Sequence, residues 1–183
     1  MAPTAKQGQE VRQRLLAAAA ELIPERGWSA VSTRILAERA GVTPSVVHYH
    51  FSSVQDVLTE AAISAMRQVL TTTDELFTSA TTPAVAIDAL LASIEQYDGT
   101  DPMSLLFTET YLAATRDERL HTQIAGLVTD FRTRLADWLT IHQVVEPAAT
   151  AAVLAATIDG LLLHRTLGPE SPALTTVLRR LVS

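Results

Sequence analysis

Residues 40–51 read AGVTPSVVHYHF, and two of the chain's five histidines, His48 and His50, stand here on either side of a tyrosine. In a strand the two imidazoles would share a face and could bind one metal ion. In a helix they point about 200° apart and cannot chelate together. Helix is favoured, because Thr43 can cap the first free N–H groups and Pro44 suits the first helical position. We therefore expect no metal site at this stretch.

The preceding residues predict a second short helix, which opens at Ser32 or Thr33 and ends at Ala40. Two short helices joined by Ala-Gly-Val form a helix-turn-helix. Its small apolar core would consist of Leu36, Ala37, Ala40, Val42 and Val47. The residues expected to face outward from the later helix are Pro44, Ser45, Val46, His48, Tyr49 and His50. Such a helix can place its first turn against base edges in the major groove, while flanking hydroxyls and imidazoles reach phosphates.

Helical periodicity continues along the whole chain, and no segment alternates as a strand does. A first helix, striped by apolar residues from Val11 to Leu22, should end at Gly27, a suitable C-cap. Ser53, with Asp56 three residues later, predicts the start of a longer helix. Polar residues followed by proline mark later starts, at Thr82-Pro83, Asp101-Pro102, Glu146-Pro147 and Ser171-Pro172. The predicted later helices are 54–79, 83–97, 102–115, 118–143, 147–167 and 172–182. The fold class expected is all-α, with nine helices.

Composition restricts the kind of protein further. The chain has no cysteine, which excludes disulfides and thiolate chemistry. The first residues lack the apolar core of a signal peptide, and no run approaches the roughly 20 apolar residues of a membrane span. We expect a soluble cytoplasmic protein with no membrane partner and no cofactor.

Charge is divided unevenly along the chain, whose net charge is −6. Residues 1–53 hold six Lys/Arg and four Glu, whereas residues 54–183 hold eight basic and sixteen acidic residues. This asymmetry is expected if only the first part meets phosphate. We therefore predict a DNA-binding domain over residues 1–53, called the head, and a second, helical domain over residues 54–183, called the body.

The segment RLLAAAAELIPERGWSAVSTRILAERAGVTPSVVHYHFSSVQDVL, residues 14–58, resembles the DNA-binding domain of TetR-family transcriptional regulators. The specific parts are AAxELIxERG at the end of the first helix, then TRILAERAGV, then HYHF at fixed spacing. The resemblance implies a homodimeric regulator, a repressor, that binds a palindromic operator and is released by a small apolar effector. It also implies that residues 54–183 form an effector-binding and dimerisation domain. It implies no catalytic residue.

The resemblance also assigns roles to individual residues. It implies that Thr33 and Arg34 contact the backbone and the groove edge. It places the recognition residues facing bases and nearby phosphates at Thr43, Pro44, Ser45 and Val46, followed by His48, Tyr49 and His50. His48 replaces the family's usual tyrosine, and Val54 stands where a phosphate-binding lysine is frequent.

The body of such a regulator encloses an effector cavity, which would be apolar with a few polar groups. The candidate walls are Met66, Leu70, Leu90, Phe107, Tyr111, Phe131, Trp138 and Ile158. The candidate polar groups are Glu109, Thr110 and Asp159. Because aromatic stripes at helical spacing are also typical of plain core, that alternative stays open.

The predicted helix 147–167 is apolar nearly all round and therefore needs burial on both sides. With the helix predicted at 172–182, the resemblance implies a two-fold interface of four helices. An intrachain position for this helix is the alternative.

Two other functions remain open from the sequence. The first is a helical small-molecule-binding dimer with little operator affinity, because Val54 removes a cation. The second is a small all-α enzyme, but no serine-nucleophile, phosphate-loop or zinc-protease motif occurs. His142 and Glu146 are spaced i, i+4 without a third ligand, so we expect no metal.

Overall fold

The computed structural model describes residues 5–167 and 173–183, and within them the chain is all-helical, with nine α-helices and no strand. The helices are α1 (Ala5–Arg26), α2 (Thr33–Ala40), α3 (Pro44–His50), α4 (Val54–Ser79), α5 (Pro83–Ile94), α6 (Pro102–Ala114), α7 (Glu118–Ile141), α8 (Pro147–His164) and α9 (Leu174–Arg180). Short 3-10 turns occupy Trp28–Ala30 and Arg165–Leu167. The predicted fold class is confirmed.

The described chain forms two compact units. One contains the residues up to Met66 together with Leu105–His121, and the other contains Arg67–Ser104 and the described residues from Thr122 to Ser183. Helices α4, α6 and α7 each contribute residues to both units. This division concerns packing, so the functional boundary between residues 53 and 54 stays a prediction.

Helix starts lie where the sequence places them. Proline is the first residue of α5, α6 and α8, as polar-Pro pairs predict. The Ser53 hydroxyl accepts a hydrogen bond from the Asp56 backbone N–H at 3.1 Å and donates to the Asp56 carboxylate, so the predicted cap of α4 is present. The pair Ser171-Pro172 lies outside the described residues.

Helices α5 to α9 each end one to three residues earlier than predicted, and the structure gives a reason for two of these ends. Helix α5 ends at Ile94 instead of residue 97, and the Arg165 guanidinium donates hydrogen bonds to the backbone carbonyls of Ile94 and Tyr97. Helix α7 ends at Ile141 instead of residue 143, because Gln143 takes a left-handed conformation with φ 60°. Both ends depend on features that periodicity does not reveal: a distant arginine, and a left-handed residue that is not glycine.

Helix α8 carries an unusual amount of exposed apolar surface. Within the described residues it is the one helix long and apolar enough to cross a membrane, by length and composition alone, and only 17% of it is buried. The sequence analysis expected no run close to the length and apolarity of a membrane span, and α8 shows that this expectation was too strict. The exposed large apolar side chains of α8, its following turn and α9 are Val153, Leu163, Leu167 and Val177.

Candidate nucleic-acid interface

Helices α2 and α3 form the predicted helix-turn-helix through local interactions that the sequence supplies. The Ser32 hydroxyl accepts a hydrogen bond from the Ile35 backbone N–H and caps α2. Gly41 ends α2 in the left-handed region, with φ 65° and ψ 39°, and Val42 N–H donates back to the Ala37 carbonyl at 2.9 Å. This is the common glycine ending of a helix, where a side chain would be strained.

The N-terminus of α3 differs in one detail from the sequence analysis. Thr43 is the N-cap residue by position, but its hydroxyl makes no hydrogen bond to a helix N–H. It pairs instead with the Ser45 hydroxyl, at 2.9 Å between the two oxygens. The prediction that Thr43 caps the free N–H groups was wrong, because Ser45 is near enough to compete for its hydroxyl. Both hydroxyls remain on the exposed first turn.

Helix α3 buries one side and exposes the other, as its sequence predicts. Val47 is fully buried, and the apolar residues of α2, Leu36, Ala37 and Ala40, are also buried. The exposed residues of the predicted recognition set are Thr43, Pro44, Ser45, His48 and Tyr49, whereas Val46 and His50 are half-buried. Tyr49 is 76% exposed, and its ring meets the His50 ring edge-on at 5.1 Å between centroids.

Two further residues of the predicted DNA-binding set, Thr33 and Arg34, are the first residues of α2. Thr33 is half-buried and Arg34 is exposed. Arg34 has no ion-pair or hydrogen-bond partner among the described residues. Its guanidinium is therefore available to an external anion or base edge.

Other head cations are already paired, which the charge count along the sequence could not reveal. Arg39 binds Glu25 at 2.6 Å and Glu21 at 3.1 Å, and Arg12 binds Glu60 at 2.6 Å. The hydrogen bond from Arg39 lowers the pKa of Glu25, and the hydrogen bond to Glu25 raises the pKa of Arg39. The excess of basic residues in the head is therefore less important for DNA binding than the position of its unpaired cations.

The beginning of α1 lies next to the end of α3. A Cβ atom built on Gly8 would be 3.8 Å from Cε1 of His50, and Lys6 is exposed two residues before this glycine. Sequence reasoning missed this neighbour because α1 and α3 are separated by a turn and a whole helix. Lys6 thereby becomes a further candidate for phosphate contact.

Five of the predicted effector residues lie in the first unit. Met66 and Thr110 are buried, and Phe107, Glu109 and Tyr111 are half-buried. The Thr110 hydroxyl donates to the Leu106 carbonyl at 2.6 Å, a bond within its own helix. The Glu109 carboxylate accepts a hydrogen bond from the Trp28 backbone N–H at 2.8 Å.

The remaining predicted effector residues lie in the second unit, and most of them pack into its core. Leu90, Phe131 and Trp138 are buried in one apolar cluster, and Leu70 and Ile158 pack against it. The Trp138 ring meets Phe77 edge-on, with 5.5 Å between ring centroids. Asp159 is exposed on α8.

A groove of about 320 Å³ lies between α4 and α7 in the second unit. Its lining residues are Arg67, Leu70, Thr71, Asp74, Leu127, Asp130 and Arg134. Asp74 and Arg134 form an ion pair at 2.7 Å, whereas Arg67 and Asp130 have no ion-pair partner among the described residues. Leu70 is the one predicted effector residue among those that line this groove. The sequence predicted a mainly apolar cavity, whereas four of the seven lining residues are charged.

Comparisons with known proteins cover both parts of the chain. Residues 15–61 match the family described as bacterial regulatory proteins, tetR family, and residues 81–183 match the tetracyclin repressor-like C-terminal domain. The HTH-type transcriptional regulator SrpR of Pseudomonas putida is 30% identical over 161 residues, which are 85% of this chain and 69% of SrpR.

Solved structures agree with these matches. A transcriptional regulator of Streptomyces coelicolor, SCO7518, has 30% identity and a TM-score of 0.77, covering 95% of this chain and 99% of that one. The multidrug binding protein EbrR, solved with imidazole, has 25% identity and a TM-score of 0.68, covering 95% and 90%. The chain belongs to the TetR family of bacterial transcriptional regulators, and the relatives that match it are regulators, not enzymes.

Proposed function

We propose that this regulator is a repressor that binds a palindromic operator as a homodimer through α2 and α3. The observation that carries the proposal is the exposed face of α3 over a fully buried Val47, with the unpaired Arg34 at the start of α2. A helix held in this way can enter the major groove as a rigid element.

The proposed contacts follow from exposure and chemistry. Arg34 reads a base edge or clamps a phosphate, since a guanidinium can bond either one bidentately. The first turn of α3, Thr43 to Val46, faces bases and nearby phosphates. His48, Tyr49 and His50 bond phosphates further along the groove, together with Thr33 at the start of α2.

The dimer is proposed to form through α8 and α9. Both helices expose valines, Val153 at 47% and Val177 at 51%, and an all-round apolar helix is stable in water only when a second surface covers it. Two-fold symmetry of such a dimer requires two half-sites, with recognition helices about 34 Å apart or slightly more. Residues 168–172 lie outside the described residues, so the proposal concerns Leu174–Arg180 of the last helix.

We also propose that the body binds a small, mainly apolar effector that releases the operator. EbrR, which shares the fold, is described as a multidrug binding protein. In this chain Leu70 belongs both to the α4–α7 groove and to the margin of the apolar core that contains Phe131 and Trp138. An effector that enters past Leu70 would release DNA only if it binds the conformation that cannot bind DNA more tightly than the conformation that can.

The alternative is a helical small-molecule-binding dimer with little operator affinity, because Val54 occupies a position where a cation would bind phosphate. The two functions differ in salt dependence: operator binding that releases counterions weakens steeply as salt rises. A repressor acts on chromosomal DNA, so we place the protein in the cytoplasm.

The experiment that tests the proposed function is selection of duplexes from a randomised library by the purified protein. We expect enrichment of one inverted repeat, and weaker binding of that repeat by Arg34→Ala. Enrichment of no sequence over the starting library would favour the alternative.

A further inference from the structure

Trp28 uses both of its N–H groups within the first unit. It lies in the 3-10 turn between α1 and α2 and is 7% exposed. Its backbone N–H donates to the Glu109 carboxylate at 2.8 Å, and its indole N–H donates to the Gln55 side-chain oxygen at 2.8 Å. One buried residue is therefore bonded to α6 and to α4 simultaneously.

These bonds join the two ends of the helix-turn-helix. The turn that contains Trp28 leads directly into α2, which begins at Thr33. Gln55 is in the first turn of α4, just after Phe51 ends α3. The segment before the motif and the segment after it are thus tied to each other through the indole, and Glu109 fixes the backbone of the same residue to α6.

The Glu109 carboxylate packs against the backbone just before Trp28. Gly27 has a φ of 82°, which glycine adopts without strain. A Cβ built there would lie 3.4 Å from a carboxylate oxygen of Glu109 and 3.7 Å from its carboxyl carbon, which are ordinary van der Waals distances. The carboxylate is therefore seated against the turn, and the φ of Gly27 is what favours glycine at this position.

We propose that Glu109 is a positioning residue for operator binding: as the acceptor for Trp28 N–H, it holds the start of α2 and the exit of α3 in the orientation that binds DNA. Glu109 touches no base or phosphate in this account. The inference rests on the proposed function in one respect, the assignment of operator contacts to α2 and α3. It gives Glu109 a role in DNA binding, in place of the effector role that the sequence suggests.

The test compares Glu109→Ala with Glu109→Gln, whose amide oxygen can still accept the Trp28 N–H bond. We expect Glu109→Ala to weaken operator binding about tenfold, which corresponds to the loss of one hydrogen bond to a charged acceptor. Glu109→Gln should bind within a few-fold of the wild type. Gln55→Ala removes the acceptor of the Trp28 indole N–H, and Gln55 is exposed. This variant should weaken operator binding less than Glu109→Ala does. It can replace Glu109→Ala in the test if Glu109→Ala is unstable.

Fluorescence supplies a local readout of the surroundings of Trp28 in variants that remain folded. The chain has two tryptophans, so Trp138→Phe leaves Trp28 as the reporter. In that background, Glu109→Ala should shift the Trp28 emission to the red and increase its quenching by acrylamide, and Glu109→Gln should restore both. Glu75→Ala, at an exposed position of α4 in the other unit, is the matched control and should change neither operator binding nor emission.

Wild-type operator affinity in Glu109→Ala would overturn the proposal, and so would equal weakness of Glu109→Ala and Glu109→Gln. Failure of the proposed operator contacts has a different signature. In that case Arg34→Ala binds as the wild type does, while the fluorescence of the Glu109 variants still reports whether the carboxylate holds Trp28.

Discussion

The guanidinium carbon of Arg12 lies 4.3 Å from the centre of the Phe51 ring, and Nη2 of the same side chain donates to Glu60 at 2.6 Å. Arg12 is on α1, Phe51 ends α3 and Glu60 is on α4, so one side chain joins these three helices. Its Nη1 is buried with no hydrogen-bond partner among the described residues. The aromatic face of Phe51 is therefore an important part of what stabilises this cation.

Arg12→Ala should destabilise the protein by about 1–2 kcal/mol, the sum expected for one cation–π contact and one partly exposed ion pair. Phe51→Leu should lose the ring interaction while retaining an apolar side chain. Urea unfolding of the two single variants and the double variant measures the coupling. Strictly additive effects would mean that the ring contributes packing alone and does not stabilise the guanidinium.

Arg34 and Arg39 form a matched pair for testing which head cations meet DNA. Arg34→Ala should cost about 1–3 kcal/mol of operator binding if the side chain reads a base edge. Arg39→Ala should have a much smaller effect on binding, because Glu21 and Glu25 already hold that guanidinium. Equal losses, measured by fluorescence anisotropy with labelled operator, would contradict the assignment of Arg34 as the free contact.

The two histidines of α3 are proposed phosphate contacts, so the double variant His48→Ala/His50→Ala should bind the operator more weakly than the wild type. Fluorescence anisotropy with labelled operator measures this loss. Wild-type affinity in the double variant would remove both histidines from the proposed contacts.

The ion pair of Asp88 with Arg179 gives the body its own pH dependence. The hydrogen bond from Arg179, at 2.6 Å, lowers the pKa of Asp88. A carboxyl with a depressed folded-state pKa contributes stability above its unfolded value, near 3.9, and this contribution disappears as the pH falls through the folded-state value. Arg179→Gln should therefore lower stability slightly at pH 7 and show a flatter decline below about pH 4 in urea titrations. If the free energy of unfolding of Arg179→Gln fell with pH in parallel with that of the wild type throughout this acidic range, the ion pair would contribute nothing to stability.

The proposed dimer interface can be separated from the core by choosing exposed positions. Val153→Glu on α8 should produce monomers, since it buries an unpaired charge in the interface. Ile141→Glu, at a position 77% exposed on α7, is the matched control and should remain dimeric. Leu161 is a poorer choice for substitution because it packs against the core of its own unit. Sedimentation velocity distinguishes the outcomes, and a Val153→Glu dimer would place the interface elsewhere.

Sequence reasoning succeeded where structure depends on neighbours along the chain. Pro83, Pro102 and Pro147 open their helices, and Gly27 and Gly41 take the positive-φ conformations that end α1 and α2. Helix starts and glycine ends are set within a few residues, so local patterns carry them.

The contacts that the sequence could not predict join residues that are far apart along the chain. Arg165 satisfies the carbonyl of Ile94 across 71 positions, and Glu109 accepts from Trp28 across 81. No periodicity encodes such a partner, and Glu109 therefore looked like a polar group for an effector. The pairing of Arg39 with Glu21 and Glu25 is likewise hidden in the sequence, where Arg39 counts only as one of the six basic residues of the head.

The most direct test of the account is the salt-dependent affinity of the dimer for the inverted repeat that it selects from random duplexes. We predict binding of one dimer per repeat, affinity that falls steeply with salt, and a weaker complex with Arg34→Ala at every salt concentration. Binding that is equal for the selected repeat and for unrelated duplex, and unaffected by Arg34→Ala, would contradict the proposal that α2 and α3 read a palindromic operator.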